Sequence, residues 1–152
     1  MDKLIHNLYL FKGLKEADLN AIRAIASLQS YRAGDKIFEQ GDPAEVFYVI
    51  QHGSVSIKQT TGETTLEVAV LGTGSHFGEM SFLDGERRSA TAEAASDSDI
   101  IAISYASLHA LLDMQPHISI HVHRELARFL CSRLRLTTMD LNYAKSHNIS
   151  YF

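Results

Sequence analysis

A chain of 152 residues buries about two-thirds of its unfolded surface on folding, enough for one core without disulfides or a structural metal. Hydrophobic residues make up 45% and charged residues 21%, which excludes a disordered tail, a collagen-like fibre and a disulfide-rich miniprotein. The formal net charge of -4 and the single cysteine, Cys131, exclude an internal disulfide, a cysteine-built metal site and a general attraction to nucleic acid or an anionic membrane. No apolar run reaches the roughly 18 residues of a membrane span, and no leader-like apolar segment follows Met1, so a cytoplasmic protein is expected.

Residues 1 to about 30 read as helical. Leu14, Leu19, Ile22, Ile25, Ala26 and Leu28 recur at three- and four-residue spacing, with Asp18 expected to cap the second of two helices. From Tyr31 to about residue 105 the period shortens. Ile37-Phe38, the run from Val46 to Ile50, Val55 to Ile57, Leu66 to Leu71 and Asp99 to Ile103 are strand-like. Turn residues separate them, and eight of the nine glycines fall here. Short strands punctuated this way predict a sandwich or jelly-roll barrel, mainly β with flanking helices. One interruption, Glu79 to Asp84, reads as a short helix.

From about residue 106 the pattern is helical again. Ser104 or Ser107 is expected to cap a helix that Pro116 closes. No glycine or proline lies between His117 and Tyr143, so a long helix to about residue 145 is predicted. Val122, Leu126, Phe129, Leu136 and Tyr143 form one apolar stripe, and Leu130, Leu134 and Leu141 a second. Two apolar stripes predict two partners: the chain's own barrel, and a second copy in a homodimer. Arg124, Arg128, Arg133 and Arg135 outnumber Glu125 there, which reads as a solvated face ahead of a nucleic-acid patch. Cys131 is expected to be a small packing residue. The organisation is helix, barrel, helix in a single domain over 1–152.

The chemistry concentrates between Phe77 and Thr91. Gly78 permits a close backbone approach or a positive φ. A short helix starting after it directs free N–H groups to one spot. Arg88, nine residues after Glu79, offers a planar fork for two phosphate oxygens. Ser89 adds a hydroxyl and an amide, and an ionised Glu79 accepts from a sugar hydroxyl. The residues alone leave two readings open: a cradle for a ligand with one phosphate and a nearby free hydroxyl, as in a 3′,5′-cyclic nucleotide, or a plain Glu79–Arg88 ion pair on a barrel loop.

The whole stretch resembles the phosphate-binding cassette of the cyclic-nucleotide-binding domain in the catabolite activator and cAMP-dependent kinase regulatory-subunit superfamily. Phe77, Gly78, Glu79, Leu83, Arg88, Ser89 and Ala90 match its F-G-E-x-x-x-L…R-[SAT]-A segment. Gly34-Asp35-x-Ile37-Phe38-x-Gln40-Gly41-Asp42, Phe47-Tyr48-x-Ile50 and Gly53-x-Val55 agree upstream. The resemblance spans roughly residues 8 to 142. It implies a β-jelly-roll (double-stranded β-helix) barrel with N-terminal helices and a long C-terminal helix. It further implies that Arg88 and Ser89 hold the cyclic phosphate, that backbone amides near Gly78 and Met80 complete the cradle, and that Glu79 takes the ribose 2′-hydroxyl. Thr137 and Thr138 match the adjacent hydroxyl residues that contact the purine from two subunits, with threonine in place of serine at the second. They favour cAMP, while Ser89 beside Arg88 keeps cGMP as the second choice.

The bacterial activators continue into a helix-turn-helix domain, and the polar residues after Tyr143 do not resemble one. The expectation is a free-standing cyclic-nucleotide sensor with a homodimer partner, an unknown downstream protein partner, no cofactor and no DNA binding by this chain alone. The alternatives are a ligand-free dimerisation or docking module, and the sensor domain of a truncated transcription regulator. His117, His121 and His123 suggest a metal only weakly, without an HExxH or cysteine partner. His52 and His76 do not make the H-x-H pair of a cupin enzyme. No catalytic residue and no metal site are expected.

Overall fold

The computed structural model of the chain describes residues 2–146. In chain order it comprises α1 (Asp2–Asn7), α2 (Glu16–Ala24), β1 (Ala26–Tyr31), β2 (Lys36–Phe38), β3 (Val46–His52), β4 (Ser54–Thr61), β5 (Thr64–Gly72), β6 (His76–Phe77), α3 (Glu79–Asp84), β7 (Thr91–Ala94), β8 (Ser98–Ser104), α4 (Tyr105–Met114) and α5 (Pro116–Ser146). The strands pair antiparallel throughout. They form two four-stranded sheets, ordered β1-β8-β3-β6 and β2-β7-β4-β5. This is the jelly-roll sandwich with flanking helices that the turn spacing predicts.

The pattern of β3 and β8 explains the layering. Both are apolar at successive residues, which a strand tolerates only when buried on both faces. Phe47, Val49, Ile101 and Ile103 point to a layer formed by the helices, with Leu19, Leu112 and Val122. Their neighbours Tyr48, Ile50, Ile100 and Ala102 face Val55 and Ala92 of the other sheet. Register locks this alternation, pairing Phe47 with Ile103 and Val49 with Ile101, because a one-residue slip would exchange the two faces.

Two sequence expectations change at the N-terminus. The helical reading of residues 1 to about 30 is corrected: helix ends at Ala24, and Ala26–Tyr31 is a strand. The apolar spacing through Ile25, Ala26 and Leu28 continues the helical period by chance. Pairing of β1 with β8 from Ala26↔Ile103 to Tyr31↔Ser98 satisfies a backbone edge that a helix would leave open. Asp18 is also not the cap of α2. The N-cap is Lys15, without a side-chain bond, and the Asp18 carboxylate instead meets His117 Nε2 at 2.9 Å. Ser104 does cap α4, its hydroxyl accepting from the Ser107 N–H at 3.1 Å.

α5 opens on Pro116, whose missing donor is harmless in the first helical turn. Ile118, Val122 and Leu126 are buried against the helical core. Beyond Leu130 the helix leaves the barrel. Leu134 is 67% exposed and Met139 65%, and Leu136 and Leu141 are exposed with them. Cys131 is exposed too, which corrects its expected packing role: it lies where α5 has already parted from the core. The side chain of Tyr143 and residues 147–152 lie outside the described residues.

Candidate functional site

The segment from β6 to Arg88 is built around a left-handed turn. Gly78 caps α3 at φ 84° and Gly85 closes it at φ 73°. A side chain at Gly78 would place its Cβ 2.8 Å from Arg88 Nη1 and 3.1 Å from the Val46 carbonyl, so the glycine also makes room for the cation. The chain returns to Arg88, whose backbone is fixed on both sides: its N–H donates to Asp42 O and its carbonyl accepts from the Gly41 N–H, each at 2.9 Å.

The Arg88 guanidinium is buried, at 5% exposure. Nη2 donates to Val46 O at 2.6 Å, and Nη1 donates to the Tyr105 hydroxyl at 3.0 Å and to Gly78 O at 3.4 Å. Tyr105 in turn donates to Gly78 O. Burial raises the Tyr105 phenol, outweighing the pull of the Arg88 cation, so the hydroxyl remains a donor. The guanidinium lies 4.0 Å over the Phe38 ring. Its protein partners are all neutral oxygens, and Nε has none among the described residues.

Glu79, 8% exposed, is not the partner of Arg88. Its carboxylate lies 3.4 Å from His76 Nδ1. Burial works against its charge, but His76, a backbone N–H and the Arg133 cation together outweigh that and hold the carboxyl below the ordinary glutamate range. The alternative of a Glu79–Arg88 loop ion pair is therefore absent; two opposite charges face one cleft with different partners.

That cleft opens to solvent and offers about 110 Å³, less than the roughly 300–1,000 Å³ of small-molecule sites. Gly78, Glu79, Met80, Arg88 and Ser89 all line it. Thr137 and Thr138 do not. Both are exposed on α5, their hydroxyls donating back along the helix to Arg133 O at 3.0 Å and Leu134 O at 2.9 Å. Three contributors escaped the sequence reading. His76, after Gly74-Ser75, and Tyr105, after Ser104, are a single imidazole and a single phenol with no patterned neighbours, a weak signal alone. Arg133 reaches the cleft from a helix whose several arginines look alike in sequence. Among the described residues no group of three or more His, Cys, Asp or Glu is gathered to hold a metal; His117 and His123 are bonded to Asp18 and to the Ser119 carbonyl. No helix there is long and apolar enough to cross a membrane.

Fold and cleft define a ligand-binding barrel with a buried cation and an ionised carboxylate facing one small site. Residues 28–115 match the cyclic nucleotide-binding domain family. The chain is 33% identical over 134 residues to the cyclic AMP receptor protein of Thermus thermophilus, covering 88% of this chain and 60% of that protein. It is 32% identical over 114 residues to the cAMP-dependent protein kinase regulatory subunit of Dictyostelium discoideum, covering 74% of this chain and 35% of that protein. The crystal structure of Thermus thermophilus catabolite activator protein superposes with a TM-score of 0.77 at 33% identity, over 90% of this chain and 62% of the other. The chain spans under two-thirds of the length of each of these relatives. It belongs to the cyclic nucleotide-binding domain family.

Proposed function

We propose that the chain is a cAMP sensor and not a catalyst. The carrying observation is Arg88: a buried cation whose hydrogen-bond partners are neutral oxygens and whose Nε has no partner among the described residues. A buried donor left unpaired is costly, and a phosphate edge satisfies Nε and a neighbouring Nη hydrogen together. Ser89 and the amides near Gly78 and Met80 complete the phosphate cradle. Glu79, held ionised, accepts from the ribose 2′-hydroxyl. The names of two relatives, a cyclic AMP receptor protein and a cAMP-dependent kinase regulatory subunit, support cAMP over cGMP.

Arg133 lines the cleft, and Thr137 follows it by one helical turn on the same face. In this reading α5 moves over the bound purine and brings Thr137 and Thr138 to it, shifting an equilibrium between helix positions that a partner protein reads. The exposed leucines of distal α5 pair with a second copy, since a projecting helix with an apolar stripe buries it against a partner. The composition and lone cysteine fit a reducing compartment such as the cytoplasm.

Calorimetric titration of the purified chain with cAMP, cGMP and 5′-AMP tests the assignment. Wild type is expected to bind cAMP most tightly. Arg88→Ala loses roughly 2–5 kcal/mol, about thirty-fold to several thousand-fold in affinity. Equal affinity in Arg88→Ala, or preference for 5′-AMP, overturns the proposal.

A further inference from the structure

His76 lies beneath the cassette in a box of rings. Its centroid is 5.5 Å from Phe47, 4.6 Å from Phe129 and 5.3 Å from Tyr9, and Tyr9 stacks on Phe129 at 5.6 Å. Both ring nitrogens face polar groups. Nε2 is hydrogen-bonded to the Tyr9 hydroxyl. Nδ1 has no hydrogen-bond partner among the described residues, and its polar neighbour is Glu79 Oε2 at 3.4 Å. The direction of the first bond follows from chemistry. An ionised carboxylate only accepts, so the tautomer that fits this geometry carries its proton on Nδ1, toward Glu79 Oε2, and leaves Nε2 to accept from the Tyr9 hydroxyl. Burial, then the negative charges of Glu79 and Glu125, push the Tyr9 phenol upward, so it keeps the proton it donates. The charged groups acting on this cluster are Glu79 from α3 and Glu125 and Arg133 from α5; β3 contributes the uncharged Phe47.

The geometry points to Tyr9 and His76 as a positioning relay for Glu79, in which the phenol fixes the imidazole tautomer and the imidazole N–H aims the carboxylate at the ribose 2′-hydroxyl. This rests on the cyclic-nucleotide reading above and extends it. Ligand recognition then depends on the segment after α1 as well as on the cassette. Contact of both rings with Phe129, stacked for Tyr9 and tilted for His76, also ties the aim of Glu79 to the position of α5. Tyr9 and Phe129, the two ends of this arrangement, lie outside residues 28–115 that match the shared domain.

The experiment is titration of the full chain with cAMP and with its 2′-deoxy analogue. A hydrogen bond to an ionised acceptor makes wild type prefer cAMP by about tenfold or more. His76→Phe keeps an aromatic ring in the box but supplies no donor; its preference is expected to fall at least about threefold, through weaker cAMP binding with the analogue unchanged. His76→Asn, whose amide N–H stands near the position of Nδ1, recovers part of the preference, which a merely structural role would not predict. Tyr9→Phe lowers it by a smaller factor. An unchanged preference in folded His76→Phe overturns the relay alone. Should that variant not fold, an unchanged preference in Tyr9→Phe overturns it. Equal affinity of wild type for both ligands overturns the Glu79 assignment and the relay together, and absence of cyclic-nucleotide binding overturns the sensor proposal itself.

Discussion

Gly78 and Gly85 cap the same short helix with the same left-handed backbone, yet alanine at the two should behave differently. A non-glycine residue in that conformation costs about 1–2 kcal/mol. Gly85→Ala adds little else, because its Cβ meets nothing within 4 Å. At Gly78 the Cβ arrives 2.8 Å from Arg88 Nη1 and 3.1 Å from Val46 O. The atom that must yield is the tip of a long side chain, but that tip is pinned by Val46 and Tyr105. Moving it strains or breaks hydrogen bonds of a buried cation, each worth about 1.5–3 kcal/mol. Gly78→Ala should therefore lose roughly 3–5 kcal/mol, or about 10 °C in Tm or somewhat more at the ~2–4 °C per kcal/mol of a chain this size. Gly85→Ala should lose about one-third of that. Denaturant unfolding of both variants measures the contrast, and cyclic-nucleotide titration should show weakened binding only for Gly78→Ala. Equal stabilities within about 0.5 kcal/mol and equal affinities would refute the view that Gly78 exists to admit the Arg88 cation.

Tyr105→Phe removes the hydroxyl that joins Arg88 to Gly78; a stability loss of about 1–2 kcal/mol and weaker cAMP binding are expected from denaturation and titration, and an unchanged affinity would show that Arg88 needs no second anchor. Glu79 has a folded-state pKa below the ordinary 4.5, so its ionised form stabilises the fold above that value and the contribution is lost as pH falls through the window beneath it. The stability gap between wild type and Glu79→Gln, followed by urea unfolding from pH 6 to pH 3, should narrow below about pH 4.5; a constant gap contradicts the assignment. Leu134→Lys with Met139→Lys should convert a dimer to a monomer in sedimentation velocity while changing the core by less than about 0.5 kcal/mol, and a monomeric wild type at high concentration with cAMP present would remove the dimer from the proposal.

Much of this protein was legible from one dimension, because the relevant physics is local. The double-faced apolar runs of β3 and β8, the turn glycines and the six-residue helix from Glu79 to Asp84 are set by short-range geometry, so spacing placed them, whereas the five cassette residues were picked out by the family resemblance. Three features depended on the tertiary structure. Residues 26–30 look helical in period but become strand because β8 needs an edge partner 69 to 77 positions away, and a ladder of backbone bonds outweighs a weak helical propensity. Glu79 looks like the counter-ion of Arg88, but the folded chain gives it His76 and leaves the guanidinium among neutral oxygens. Tyr9 and Phe129 carry no sequence signal linking them to a ligand site, and only the docking of the segment after α1 and of α5 around β6 brings them to His76. Such contacts join residues up to 120 positions apart, as Tyr9 and Phe129 are, and are decided by how layers pack, a property that periodicity along a single chain does not encode.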